Sequence, residues 1–122
     1  MTWYAVSAVV VFRLKEGPQN IWPIWENVYL VSAGSPEEAE SKAVVLAKQT
    51  EGDDDGSLTY RGRAATREFC GIRKVITVKN PTGPNDDPAD GAEITFSEME
   101  LASERDLDAF VEGNPVSLRC IE

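Results

Sequence analysis

Asp53, Asp55 and Gly56 stand at the spacing that opens an EF-hand loop, whose chemistry is the capture of a hard cation by carboxylate oxygens. The bidentate glutamate that should close such a loop is replaced by Gly62, so this stretch reads as a solvated acidic turn. Asp86, Asp87 and Asp90 gather around Pro88, also without a closing ligand. Glu98 and Glu100 share strand parity, which would place two carboxylates on one face, as a glycosidase-like acid pair needs. Surface glutamates are the simpler account of that pair. The chain has no histidine, which removes the commonest general base and the commonest transition-metal ligand. It also has no Gly-rich phosphate loop, no G-x-S-x-G elbow and no C-x-x-C pair. No residue is therefore assigned to catalysis, to a cofactor or to a metal, and a binding role is expected ahead of an enzymatic one.

The basic residues offer a second kind of chemistry. Half of the 12 fall between Arg61 and Lys79, in a chain whose 21 acidic residues give it a net charge of -9. Arg61, Arg63, Arg67 and Lys74, helped by Tyr60, form a candidate strip for an acidic partner or a nucleic acid backbone. The plainer reading is cross-strand pairing with Glu93, Glu98 and Glu100. Nucleic acid is disfavoured as a partner, because the acid excess repels polyanions and anionic lipid.

The apolar residues offer an interface. From Thr2 to Leu14 both parities are largely apolar, which predicts a central strand or one that faces a partner. One helix can cover only one face of a sheet, so Trp3, Ala5 and Val9 are candidates for the second face, unless a short helix around Phe110 covers it. Trp3 and Trp25 are expected in the core, and Trp22, between Ile21 and Pro23, is expected to be partly exposed.

These residues must be carried by a small set of elements. Lys15 to Asn20 is a turn cluster joining the first strand to a second at Ile24 to Ala33. Ser35-Pro36-Glu37-Glu38 starts a helix expected to reach about Gln49, with Ala39, Ala43, Leu46 and Ala47 forming a narrow small-residue stripe widened by Val44. Leu58 to Arg61 reads as a short strand and Thr66 to Val78 as a long one, with a bulge at Gly71. Asn80 to Gly91, holding Pro81, Pro84 and Pro88, is expected to be a mobile connection. Ala92 to Leu101 reads as a strand with a bulge near Ser97 and Glu98, Ser103 with Asp106 caps a short helix ending at Gly113, and Val116 to Cys120 suits an edge strand. Cys70 and Cys120 sit in alternating apolar runs and are expected as buried free thiols. A length of 122 residues with 42% hydrophobic content fits one domain spanning residues 1–122. The expected fold class is α+β: a four- to five-stranded antiparallel sheet with one long helix on a face and a short C-terminal helix.

The opening Trp3-Tyr4-Ala5-Val6, the strand from Trp25 to Val31, Ser35-Pro-Glu-Glu-Ala39, Phe69-Cys-Gly-Ile72 and Asp90-Gly-Ala-Glu-Ile94 together resemble a family of small bacterial proteins. It is the domain of unknown function numbered forty-two eighty-eight. The likeness runs from about Thr2 to Phe96, with the remainder an extension. It implies a fold and a bacterial cytoplasmic setting, and brings no catalytic residues with it. The longest apolar run, Trp3 to Phe12, is too short to span a bilayer and lacks the flanks of a signal peptide, so no membrane is expected. The expected function is that of a protein-binding or self-assembling module, including the case of an acidic antagonist of a basic bacterial protein. The alternative is a small enzyme or ligand-binding domain with a carboxylate-lined pocket.

Overall fold

A strand that is apolar on both parities must be covered on both faces, and it gains most by having a neighbour on each edge as well. In the computed structural model, which describes residues 1–121, β1 (Thr2–Leu14) meets this requirement. It lies between β2 (Ile24–Ala33) and β4 (Arg63–Thr77) in a curled antiparallel sheet of order β2-β1-β4-β3, where β3 is Thr59–Tyr60. Ala5, Val6, Ser7, Ala8 and Val10 are all essentially inaccessible. The β1–β2 hairpin runs without a register break from Thr2 opposite Ala33 to Val11 opposite Ile24.

The β1–β4 ladder breaks twice, between Ser7 and Ala8 and between Val9 and Val10. The register passes over Arg73 and Cys70, one on either side of Gly71. The glycine therefore marks a bulged stretch, and two bulges so close together bend and twist β4.

Helix α1 (Pro36–Lys48) starts where its cap is written. The Glu38 amide donates to Ser35 Oγ at 3.1 Å, and the Gly34 amide donates to the Glu38 carboxylate at 2.9 Å. The first satisfies an amide that a helix start leaves open, and the second ties the residue before the cap to the first turn. Ala39, Ala43 and Ala47 are buried; the first two cluster with Tyr4, Val6, Val31 and Ala33. Small side chains let the helix backbone approach the sheet closely.

Several expectations are corrected. Of the four to five strands expected, the main sheet has four, and the strand expected at Ala92 to Leu101 does not join it: among the described residues that segment makes a single bridge to it, from Glu93 to Lys79, and its end, β5 (Met99–Glu100), pairs with β6 (Arg119–Cys120) in a separate ribbon. The twisted outer edge of β4 accounts for this, because a bulged edge resists the addition of a regular ladder. Helix α2 (Glu104–Val111) has the expected Ser103 cap, but it buries none of its residues and does not close the second sheet face. Long polar side chains cross that face instead. Arg73 of β4 reaches over β1 to pair with Glu26 of β2, and Lys74 lies over the Phe96 ring. The two cysteines are free as expected but exposed rather than buried. The 80–91 connection is a series of turns, in which the Asn80 amide donates to the carbonyls of Asp86 and Asp87.

Candidate functional site

Two carboxylates of the acidic turn, those of Asp53 and Asp54, face cations of the protein itself. Asp54 and Asp55 adopt left-handed backbone conformations (φ 55° and 59°), and the Gly56 and Leu58 amides both donate to the Asp53 carbonyl. Asp53 pairs with Lys15 and Asp54 with Arg67. The hydrogen bond from Lys15 holds the Asp53 carboxyl below the ordinary aspartate range. Among the described residues no group of His, Cys, Asp and Glu is arranged to hold a metal ion. Glu100 lies 3.9 Å from Arg119, and the backbone carbonyl of Glu98 accepts from the Ile121 amide.

The members of the candidate basic strip are held in different ways. Arg67 is the most sheltered of its members, with Nε donating to the Thr50 carbonyl at 2.8 Å and the rest of the guanidinium on Asp54. It locks the end of α1 and the following loop onto β4. Lys74 donates to the Phe96 carbonyl. Of the expected pairing with Glu93, Glu98 and Glu100, Lys79 makes a long contact with Glu93, 4.0 Å.

Arg61 and Arg63 differ from the rest. Tyr60 pairs with Arg63 across a two-residue turn, Arg61-Gly62, in which both residues have positive φ (50° and 80°). This is a type I′ hairpin, whose first position favours Asn, Asp or Gly. Neither arginine forms an ion pair among the described residues. Arg61 stacks over the Tyr60 ring at 5.4 Å, and Arg63 donates through Nη2 to the Glu16 carbonyl at 2.7 Å. A methyl group on Gly17 would come within 2.6 Å of that same nitrogen, so the glycine leaves room for the guanidinium. The two arginines rim a cleft of about 180 Å³ whose walls include Leu14, Ile21, Pro23 and Tyr60. Asn20 is its one neutral amide, and no carboxylate lines it. The other clefts described, like this one, bring together no more than one carboxylate residue each.

Beside the cleft begins an exposed apolar edge. Trp22 is 54% exposed, with the Arg13 guanidinium 5.3 Å from its ring, and Trp25 is 52% exposed although its ring packs edge-on against Phe12 at 4.8 Å. Trp25 therefore corrects the core assignment: it sits opposite Val10, away from the α1 cluster around Tyr4 and Val6. Ile21, Ile24, Val28 and Leu30 are also exposed. Of the other interface candidates, Ala5 is buried and offers no surface, while Trp3 and Val9 are half-buried. Trp3 lies at the opposite end of β1 from the Trp22 shoulder.

The backbone of β2 is open along this edge. The Phe12 amide donates to the Pro23 carbonyl at 2.9 Å, and antiparallel alternation then turns the backbone groups of Ile24, Glu26, Val28, Leu30 and Ser32 away from β1. Lys42 Nζ occupies the Ser32 carbonyl, so the free stretch runs from Ile24 to Leu30. Reading by parity missed the cleft, although the Arg-Gly pair between two strand-like runs was the available signal for its hairpin.

The architecture is that of an α+β domain with a curled four-stranded antiparallel sheet and two helices. No helix among the described residues is long and apolar enough to cross a membrane. The family model described as Domain of unknown function (DUF4288) matches residues 3–95, and the chain belongs to that family. The match takes in the main sheet and α1 and ends before β5, α2 and β6. No curated protein and no solved structure matches the chain.

Proposed function

We propose that this domain is a self-assembling module in which the free edge of β2 pairs with the same edge of a second copy, joining two four-stranded sheets into one. The observation that carries this reading is the state of β2: an outer strand with open backbone groups and six large exposed apolar side chains between Ile21 and Leu30. Outer strands are normally blunted by Lys, Pro or a bulge, and β2 has none of these between Ile24 and Ala33. A two-fold axis at Asn27 would set Ile24 opposite Leu30 of the second copy and Glu26 opposite Val28. Glu26 is already neutralised by Arg73, so no bare like charges meet there.

An acidic antagonist of a basic protein has less support, because Glu26, Asp53, Asp54 and Glu68 are each paired within the chain. The test is the solution molar mass by sedimentation equilibrium, across concentration and salt. A dimer is expected that tightens with added salt, since screening relieves the repulsion between two chains of net charge -9. Val28→Lys, placing a charge on the open edge, should give a folded monomer. A wild-type chain that stays monomeric at all concentrations rejects self-pairing.

A further inference from the structure

The geometry points to the cleft between the β1–β2 connection and the β3–β4 turn as a binding site for a carboxylate borne on a small apolar body, with Arg61 and Arg63 taking the carboxylate. Two independent observations carry this. The first is electrostatic. In a chain with 21 acidic and 12 basic residues, two guanidiniums lining one largely apolar cavity form no ion pair among the described residues. Arg63 is nonetheless held in place, by the Glu16 carbonyl and the space over Gly17. An arginine fork matches a carboxylate in the plane, with two parallel N–H···O bonds.

The second observation is conformational. Arg61 occupies a left-handed position that disfavours a side chain of its kind, immediately before Gly62, where Asn would be relaxed. Strain of this type is kept where the side chain has work to do at a site. The apolar walls, including Leu14, Ile21 and Tyr60, would receive the body of the ligand. A cavity of about 180 Å³ limits that body to the size of one side chain. A monoanion suits such a lining better than a phosphate dianion, which loses more hydration on entering an apolar space. The carboxylate could belong to a free organic acid or to the last residue of a polypeptide.

The experiment is an amide NMR titration of the full chain with phenylacetate, with a short peptide ending in leucine as the free acid or the amide, and with inorganic phosphate. Saturable shifts at Arg61, Gly62 and Arg63 are expected with phenylacetate, with the peptide acid, or with both, and which of them binds identifies the source of the carboxylate. The peptide amide should fail. Arg61→Asn should weaken binding by about tenfold or more, the loss of one charge-assisted contact. Because Asn relieves the turn, the same variant should unfold at a higher temperature than the wild type, which separates lost binding from lost fold. Absence of saturable shifts with both acids, equal binding by the amide or by phosphate, or unchanged affinity in Arg61→Asn overturns the assignment.

Discussion

Arg67→Ala should destabilise the domain far more than its position in a run of surface arginines implies. The side chain is 16% exposed, and its Nε donates to the carbonyl of Thr50, just beyond α1. Losing that charge-assisted bond costs about 1.5–3 kcal/mol. The Asp54 partner is half exposed, so solvent screening limits its share to about 0.5 kcal/mol. Together the loss is about 2–3.5 kcal/mol, or roughly 6–18 °C in the thermal midpoint of a domain this size. Urea titration followed by the fluorescence of Trp3, Trp22 and Trp25 gives the free energy directly, and Arg67→Met separates the charge from the packing of the stem. Arg61→Asn, six residues upstream, should move the midpoint the other way, by about 0.5–1 kcal/mol, as the left-handed turn relaxes. If Arg67→Ala loses less than about 1 kcal/mol, or if both variants shift alike, the assignment of Arg67 to the scaffold and Arg61 to the site is wrong.

Three further outcomes are expected. Ser7 is fully buried with no hydrogen-bond partner for its hydroxyl among the described residues, so Ser7→Ala should be neutral or stabilising by up to about 1 kcal/mol in the same urea assay. Ala43 is buried where α1 meets the sheet, and Ala43→Leu should cost about 1–3 kcal/mol by overpacking, read from the thermal midpoint. The Asp53 carboxyl should titrate below a free aspartate in a carbon-detected pH series, and Lys15→Gln should raise it toward the ordinary range, with the backbone hydrogen bonds still lowering it. Its folded pKa is depressed, so its contribution to stability is complete above the unfolded value and is lost as pH falls through the folded one.

The elements with local causes were legible in the sequence. Ser35 and Glu38 wrote the start of α1 in their own hydrogen bonds, and the two apolar parities of β1 required neighbours on both edges. Gly71 marked the bulges because glycine tolerates the break they impose. What was not legible depended on distant geometry. Ile94 and Phe96 alternate as a strand would, but pairing needs a regular edge, and the bulges at Cys70 and Arg73 deny one. Trp25 has the parity of a core residue, yet exposure depends on where along the sheet the helix lies. The cleft escaped notice because its walls come from two turns whose meeting is set by the β1–β4 register, not by any local pattern.

That register also governs the order of events during synthesis. β1 acquires its hairpin partner as soon as Ala33 has emerged, but its other edge waits for the chain to reach Thr77. At about 5–20 residues per second the interval lasts several seconds. Throughout it, a strand apolar on both faces remains half-matched, and the β1–β2 hairpin carries two open edges rather than one. A nascent chain of this family is therefore most vulnerable to misassociation between those two moments. Synonymous changes that slow translation between Ala33 and Thr77 would lengthen the exposure, while the finished protein kept the same sequence and the same stability.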